Sequence, residues 1–169
     1  MTNHPGPGRR ALFSVCAPNY LARVATLMES AARLLPDHDR HVVLAVERPA
    51  PGDAATLPGG TRLRTPAEAG VPDLDVRRRL YNVTEFCTAI KPDLILSLWA
   101  EGYDEVLYFD PDIVLFVPPS AIAAAWEAGA EVVLTPHLLT GGDHPDWVMR
   151  AVSLSGQYNL GFIGLRAGP

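Results

Sequence analysis

The chain has 169 residues, a formal net charge of −5 and a hydrophobic share of 48%. That size and composition fit one globular domain with a sizeable core. A negative balance without a basic stripe excludes an ordinary nucleic-acid binder, and no apolar run approaches the roughly 18 residues of a membrane span.

Residues 1–9 read as a disordered lead-in, polar with Pro and Gly and without the apolar stretch of a secretory leader. Residues 10–169 read as one domain. Ala11 to Cys16 is apolar throughout and predicts a buried first strand. Ala17-Pro18-Asn19 is a turn, with Asn19 placed to cap the next helix. That helix, about Tyr20 to Leu35, carries Leu21, Val24, Leu27, Met28 and Ala31 at helical spacing. Pro36 and the polar Asp37-His38-Asp39 end it. His41 to Val46 is the second strand, so strand, helix and strand make a parallel βαβ unit.

Residues 47–75 are rich in Pro and Gly and read as loop, with a short strand near Thr61 to Leu63. Asn82-Val83-Thr84-Glu85 has the spacing of a capping box. The helix it opens runs to about Ala100, with a break at Lys91-Pro92. A helix from Pro119 to Ala128, a strand at Glu131 to Leu134, a short helix around Asp146 to Leu154 and a last strand from Asn159 to Leu165 follow. The prediction is a three-layer α/β/α sandwich with a mostly parallel sheet. Cys16 and Cys87 lie far apart, outside any C-x-x-C spacing, so a reducing cytoplasm is the expected setting.

The chemistry concentrates at Asp110-Pro111-Asp112. It follows the apolar run Val106-Leu107-Tyr108-Phe109, which predicts a buried strand, and precedes a second run, Ile113 to Phe116. Both carboxylates therefore sit where a strand ends. In extended backbone, residues i and i+2 project from one side, and Pro111 stiffens the pair. Two aimed carboxylates there suit a hard cation carrying phosphates. The competing reading is a polar loop tip.

Three blocks together resemble the metal-dependent nucleotide-sugar glycosyltransferases of the GT-A fold, in particular family-8-like members. Phe13-Ser14-Val15-Cys16-Ala17-Pro18-Asn19-Tyr20 is similar to their first strand and nucleoside loop. Val106 to Asp112 is similar to the strand bearing their Asp-x-Asp motif. Tyr158-Asn159-Leu160-Gly161-Phe162-Ile163 is similar to the strand lining the sugar and acceptor pocket. The match covers about residues 10–166.

The resemblance implies a nucleotide-diphosphate sugar donor, an acceptor of unknown kind, and a Mn²⁺ or Mg²⁺ ion held by Asp110 and Asp112. Asp112 is the stronger candidate for direct metal contact; Asp110 takes a ribose hydroxyl, the metal or both. Ala17 and Asn19 match the donor-nucleotide loop, although the acidic residue common there is absent. Lys91, the one lysine, lies where relatives place a basic residue facing the donor phosphates; the alternative is a solvated helix residue. Asn159 and Gly161 match the sugar and acceptor pocket, with the start of a strand as the alternative for Asn159; His137, after Thr135-Pro136 at a strand end, is placed for substrate, with a structural histidine as the alternative. No catalytic residue is assigned. The Asp143, His144 and Asp146 cluster reads as solvated loop.

Relatives commonly complete the metal site with a histidine beyond the last block. The chain therefore reads as the donor half of something longer, with apolar surface near Phe162 left open and self-association possible. Asp110-Pro111-Asp112-Ile113-Val114 also fits the nucleophile motif of haloacid-dehalogenase-type phosphatases, but no lysine follows it. Gly6 to Ala11 spells G-x-G-x-x-A but precedes the first strand, where a dinucleotide fingerprint must follow one. A non-catalytic donor-binding module needing a partner is the remaining alternative.

Overall fold

The apolar run after Arg10 becomes the middle of a sheet. A computed structural model describes residues 8–139, 142 and 144–167. The strands are β1 (Arg10–Cys16), β2 (His38–Leu44), β3 (Thr61–Arg64), β4 (Glu105–Phe109), β5 (Val132–Pro136) and β6 (Tyr158–Arg166). The helices are α1 (Leu21–Leu34), α2 (Leu74–Leu80), α3 (Val83–Ala89), α4 (Lys91–Ala100), α5 (Ser120–Glu127) and α6 (Asp146–Ser155). One sheet holds all six strands in the order β3-β2-β1-β4-β6-β5. β1 pairs in parallel with both β2 and β4, and β2 with β3. β6 alone runs against its neighbours β4 and β5, so the sheet is mostly parallel.

Both faces of the central strands are covered. Alternation along β1 sends Ala11, Phe13 and Val15 to one side, where they meet Phe86 of α3 and Leu94 and Leu98 of α4. Leu12 and Cys16 face the other side, against Val24, Leu27 and Met28 of α1 and Trp126 of α5. Val24, Leu27, Met28 and Ala31 are fully buried, which explains the helical spacing of α1. Each fully buried Leu or Met side chain contributes about 1.5–3 kcal/mol. The result is the expected three-layer sandwich.

Local signals placed several boundaries. Asn82 caps α3: its side chain accepts from the Thr84 and Glu85 amides, and Glu85 accepts from the Asn82 amide at 2.9 Å. Pro92, which lacks an N–H, is the second residue of α4, which starts at Lys91 directly after a break at Ile90.

Other expectations fail for tertiary reasons. β2 starts at His38, inside the polar run, because His38 pairs with buried Glu105 at 3.2 Å across the sheet. α2 starts in the last two residues of the predicted loop and continues through a stretch for which no element was predicted, although it buries no residue. Arg77 ties it to Asp93 and to the Ala89 carbonyl, and Arg78 reaches Glu47 at 3.0 Å. The second apolar run, Ile113 to Phe116, to which no element was assigned, takes none: the Ile113 amide donates to the Asp110 carbonyl at 3.1 Å and closes a turn. Phe162 itself is half-buried, because β6 returns between β4 and β5 and its ring meets Phe109 with centroids 5.0 Å apart, whereas Tyr158 and Leu160, beside the cleft on the same strand, are exposed as expected.

Of the predicted lead-in, residues 1–7 lie outside the described ones. Arg9 is anchored: its amide donates to Asp104 at 2.8 Å, and its guanidinium lies 4.1 Å from the Tyr103 ring centroid. Among the described residues no helix is long and apolar enough to cross a membrane.

A relay from buried His41 through Tyr103 to Asp39 makes stability depend on pH. The Tyr103 hydroxyl donates to Asp39 at 2.6 Å, so it must accept from His41 Nε2, 3.2 Å away. His41 is 1% exposed. Burial, helped by the Arg64 charge, lowers it from 6.5 to about 4. The folded pKa lies below the unfolded one, so between those values the unfolded chain binds more protons. Stability from this group is complete above pH 6.5 and falls as pH drops toward 4. The loss is at most about 3 kcal/mol. In urea titrations, His41→Gln should flatten the slope of stability against pH in this window; an unchanged slope refutes the assignment.

Candidate functional site

β4 ends at Phe109, and the next residue opens a cleft of about 520 Å³. It lies at the carboxyl ends of β1 and β4, where open α/β sheets bind ligands. Ala17, Asn19, Lys91, Asp110, Asp112, His137, Asn159 and Gly161 all line it. These residues span most of the chain, and the topology gathers them at one place. Asn19 and Asp112 therefore share one cleft. Asp143 lies outside the described residues.

Asp110 is held from three directions. Its amide donates to the Gly161 carbonyl at 2.8 Å, which fixes the start of the turn against β6. Its Oδ1 accepts from the Tyr108 hydroxyl and from Lys91 Nζ, the latter at 3.3 Å. Two donors on Oδ1 leave Oδ2 as the more available acceptor. Burial and the hydrogen bond to Asp110 push the Tyr108 phenol above its usual range, so it stays a donor. Asp112, two residues on, is exposed. The two carboxylates share the cleft through a turn, and not through the extended backbone the sequence suggested.

Lys91 is not a solvated helix residue. It is 6% exposed, at the first position of α4. Its Nζ lies 4.1 Å from the Tyr108 ring centroid and donates to the Leu160 carbonyl at 3.2 Å. The Ile90 break turns α4 so that this amine reaches the cleft. A cation between a carboxylate, a carbonyl and an aromatic face is well compensated for its burial.

β6 is shaped by the site. Its pairing with β5 slips between Leu134 and Thr135, so Leu160, Gly161 and Phe162 fall in an irregular stretch. There the Gly161 amide donates to Asn159 Oδ1 at 2.7 Å. A Cβ at Gly161 would sit 2.8 Å from that oxygen and 3.3 Å from Asp110 Oδ2. Gly161 thus permits a close approach of backbone to carboxylate. The Asn159 amide oxygen is used here, and its NH₂ group is the part left to face a ligand.

His137 donates from Nδ1 to the Gly156 carbonyl at 2.8 Å, which makes neutral Nε2 an acceptor. Asn19 does not cap α1. It lies in a 3₁₀ turn, Pro18–Tyr20, and the residue at the cap, Tyr20, uses no side-chain bond. The capping role expected of Asn19 fails because Pro18 starts the turn first.

Both thiols line the cleft, and neither is a nucleophile at neutral pH. Burial pushes Cys16 up to about 12 and Cys87 up to about 11. Tyr108 and the Leu160 carbonyl were missed in the sequence. Tyr108 stands two residues before Asp110, on the same side of the chain, which is the signal that could have found it. Among the described residues no three His, Cys, Asp or Glu side chains gather into a metal cage.

No family model and no curated protein matches the sequence. Solved structures do. The galactosyltransferase LgtC, in complex with donor and acceptor sugar analogs, is 20% identical, with a TM-score of 0.56 over 92% of this chain and 57% of that one. The bifunctional glycosyltransferase WbbM is 12% identical, with a TM-score of 0.58 over 96% of this chain and 32% of that one. The chain has the GT-A fold. Mouse xyloside xylosyltransferase 1 adds a third likeness, 13% identical, with a TM-score of 0.51 over 93% of this chain and 67% of that one. At these identities the likeness is one of fold. The chain spans 57% of the LgtC chain and 32% of the WbbM chain.

Proposed function

We propose that this GT-A domain binds a nucleotide-diphosphate sugar and serves a family-8-like glycosyltransferase that moves the sugar to an acceptor. The observation that carries this is the meeting of Asp110, Asp112 and Lys91 in one cleft at the carboxyl end of β4. An acidic pair beside a buried cation suits a diphosphate bridged by a divalent ion.

Asp112 and Asp110 Oδ2 would hold Mn²⁺ or Mg²⁺. Their oxygens suit hard cations, and the exposure of Asp112 leaves room for ligands from a diphosphate and water. When bound, such an ion neutralises the charge that builds on a departing diphosphate. Lys91 holds Asp110 in place and adds positive charge beside the phosphates. Ala17 and Asn19 bound the end proposed for the nucleoside. The Asn159 amide, Gly161 and His137 Nε2 bound the end proposed for the sugar and acceptor, where Nε2 can accept a hydroxyl proton. Residues 10–169 act as one such domain in this reading, and a reducing cytoplasm remains its proposed setting.

Calorimetry with uridine or guanosine diphosphate, with and without Mn²⁺, tests the reading. Saturable binding strengthened by Mn²⁺ is expected; equal binding without the ion defeats the metal role. A second reading, a donor-binding module without turnover of its own, draws on the two-carboxylate donor set. Donor hydrolysis or sugar transfer by residues 1–169 would eliminate it.

A further inference from the structure

Tyr108 lies under the cleft and touches two of the charged groups that define it. It belongs to β4 and stands two residues before Asp110, on the same side of the chain. It is 1% exposed, in the apolar layer that β1 and β4 share with α3 and α4. Phe13 of β1 packs against its ring with centroids 5.1 Å apart, and Lys91 Nζ lies 4.1 Å from the ring centroid. A phenol buried this deeply needs a hydrogen-bond partner. Its hydroxyl finds one in Asp110 Oδ1, to which it donates.

Asp110 has less packing to hold it. It follows the last residue of β4, opens a turn and keeps 38% of its side chain exposed. Its carboxylate can rotate except where a neighbour binds it. The Tyr108 hydroxyl is the rigid neighbour, because packing fixes the ring that carries it. Lys91 Nζ, at 3.3 Å from Oδ1, is the second, and the Tyr108 ring helps to hold that amine. A carboxylate oxygen accepts two hydrogen bonds, so Oδ1 spends both on protein groups. Oδ2 lies on the side of Gly161, where an added Cβ would come within 3.3 Å of it. The chain closes one oxygen of Asp110 and leaves the other open.

We propose that Tyr108 is a positioning residue that makes Asp110 a one-oxygen ligand and so favours a compact six-coordinate cation over Ca²⁺. The inference rests on the reading of the cleft as a metal-assisted diphosphate site. Mg²⁺ and Mn²⁺ suit an octahedral set of oxygens, one from each ligand. Ca²⁺ takes about six to eight oxygens at longer range and often draws both from one carboxylate. With Oδ1 tied to a buried phenol, Asp110 adopts that bidentate form only by stranding the hydroxyl in an apolar layer. Tyr108 is too buried to hold a ligand and acts through Asp110.

Calorimetry of the full chain with uridine and guanosine diphosphate, in Mn²⁺, in Ca²⁺ and without a divalent ion, tests the proposal. In the wild type Mn²⁺ should strengthen binding about tenfold more than Ca²⁺ does. Tyr108→Phe keeps the ring, its packing on Phe13 and the face turned to Lys91, and removes only the hydroxyl. Its Mn²⁺-dependent affinity should fall about tenfold, as expected when a group that orients a metal ligand is lost. Its affinity in Ca²⁺ should hold or rise, and its metal-free affinity should stay the same. A merely structural tyrosine would lower the urea midpoint and leave the ratio of Mn²⁺ to Ca²⁺ enhancement where it was. An unchanged ratio in folded Tyr108→Phe overturns the proposal and leaves the diphosphate site standing. So does equal enhancement by the two ions in the wild type, a readout that needs no variant to fold. No enhancement by either ion in the wild type would instead defeat the metal reading of the cleft, and this proposal with it.

Discussion

Asp112→Asn should weaken Mn²⁺-dependent binding of a nucleoside diphosphate about 10- to 100-fold, the range expected when a charged contact becomes a neutral one. The amide keeps the size of the carboxylate and removes the charge that a hard cation needs. Asp112 is exposed and outside every strand, so the exchange should leave folding unchanged. Asp110→Asn is the informative comparison. Asp110 Oδ1 already accepts from Tyr108 and Lys91. Its replacement strands a buried lysine and should lower stability as well as binding. Calorimetry with and without Mn²⁺, beside urea unfolding of both variants, separates the two effects. Equal metal enhancement in Asp112→Asn and wild type would remove the metal from this site.

Lys91→Met should lower metal-free diphosphate binding by about tenfold and flatten its salt dependence, because it removes a charge-assisted contact. Methionine keeps the unbranched apolar stem that packs against Tyr108. It removes the amine from Asp110 and the Leu160 carbonyl. Asp110 keeps 38% of its side chain exposed and can be hydrated after the change, so the chain should still fold. The cost should therefore appear in binding more than in unfolding. Lys91→Arg retains charge but not the compact reach of an ammonium, and should recover only part of the affinity. Unaltered diphosphate binding by Lys91→Met, with lowered stability, would make Lys91 a structural ion-pair partner only.

Much of the proposed donor cleft was visible in the sequence because its signals are local. A buried apolar run followed by Asp110-Pro111-Asp112 places carboxylates at a strand end whatever the rest of the chain does. The Asn82 capping box and the break before Pro92 are short-range rules of the same kind, and both hold. The apolar spacing of α1 announced its buried face in the same way.

The tertiary structure decided what depends on residues far apart. For Lys91 the sequence left a phosphate-facing residue and a solvated helix residue both open, and only β6, which brings the Leu160 carbonyl, and β4, which brings Asp110, decide what its amine meets. α2 has no apolar stripe and stands on ion pairs to distant segments, so periodicity is silent about it. The antiparallel return of β6 covers Phe162 and sets Gly161 against Asp110, although strand direction leaves no mark on a run of apolar residues. The meeting of His38 on β2 with Glu105 on β4 exists only through sheet register. Local pattern tells each residue which conformation and which side to take; packing across the sheet decides which other residue it meets there.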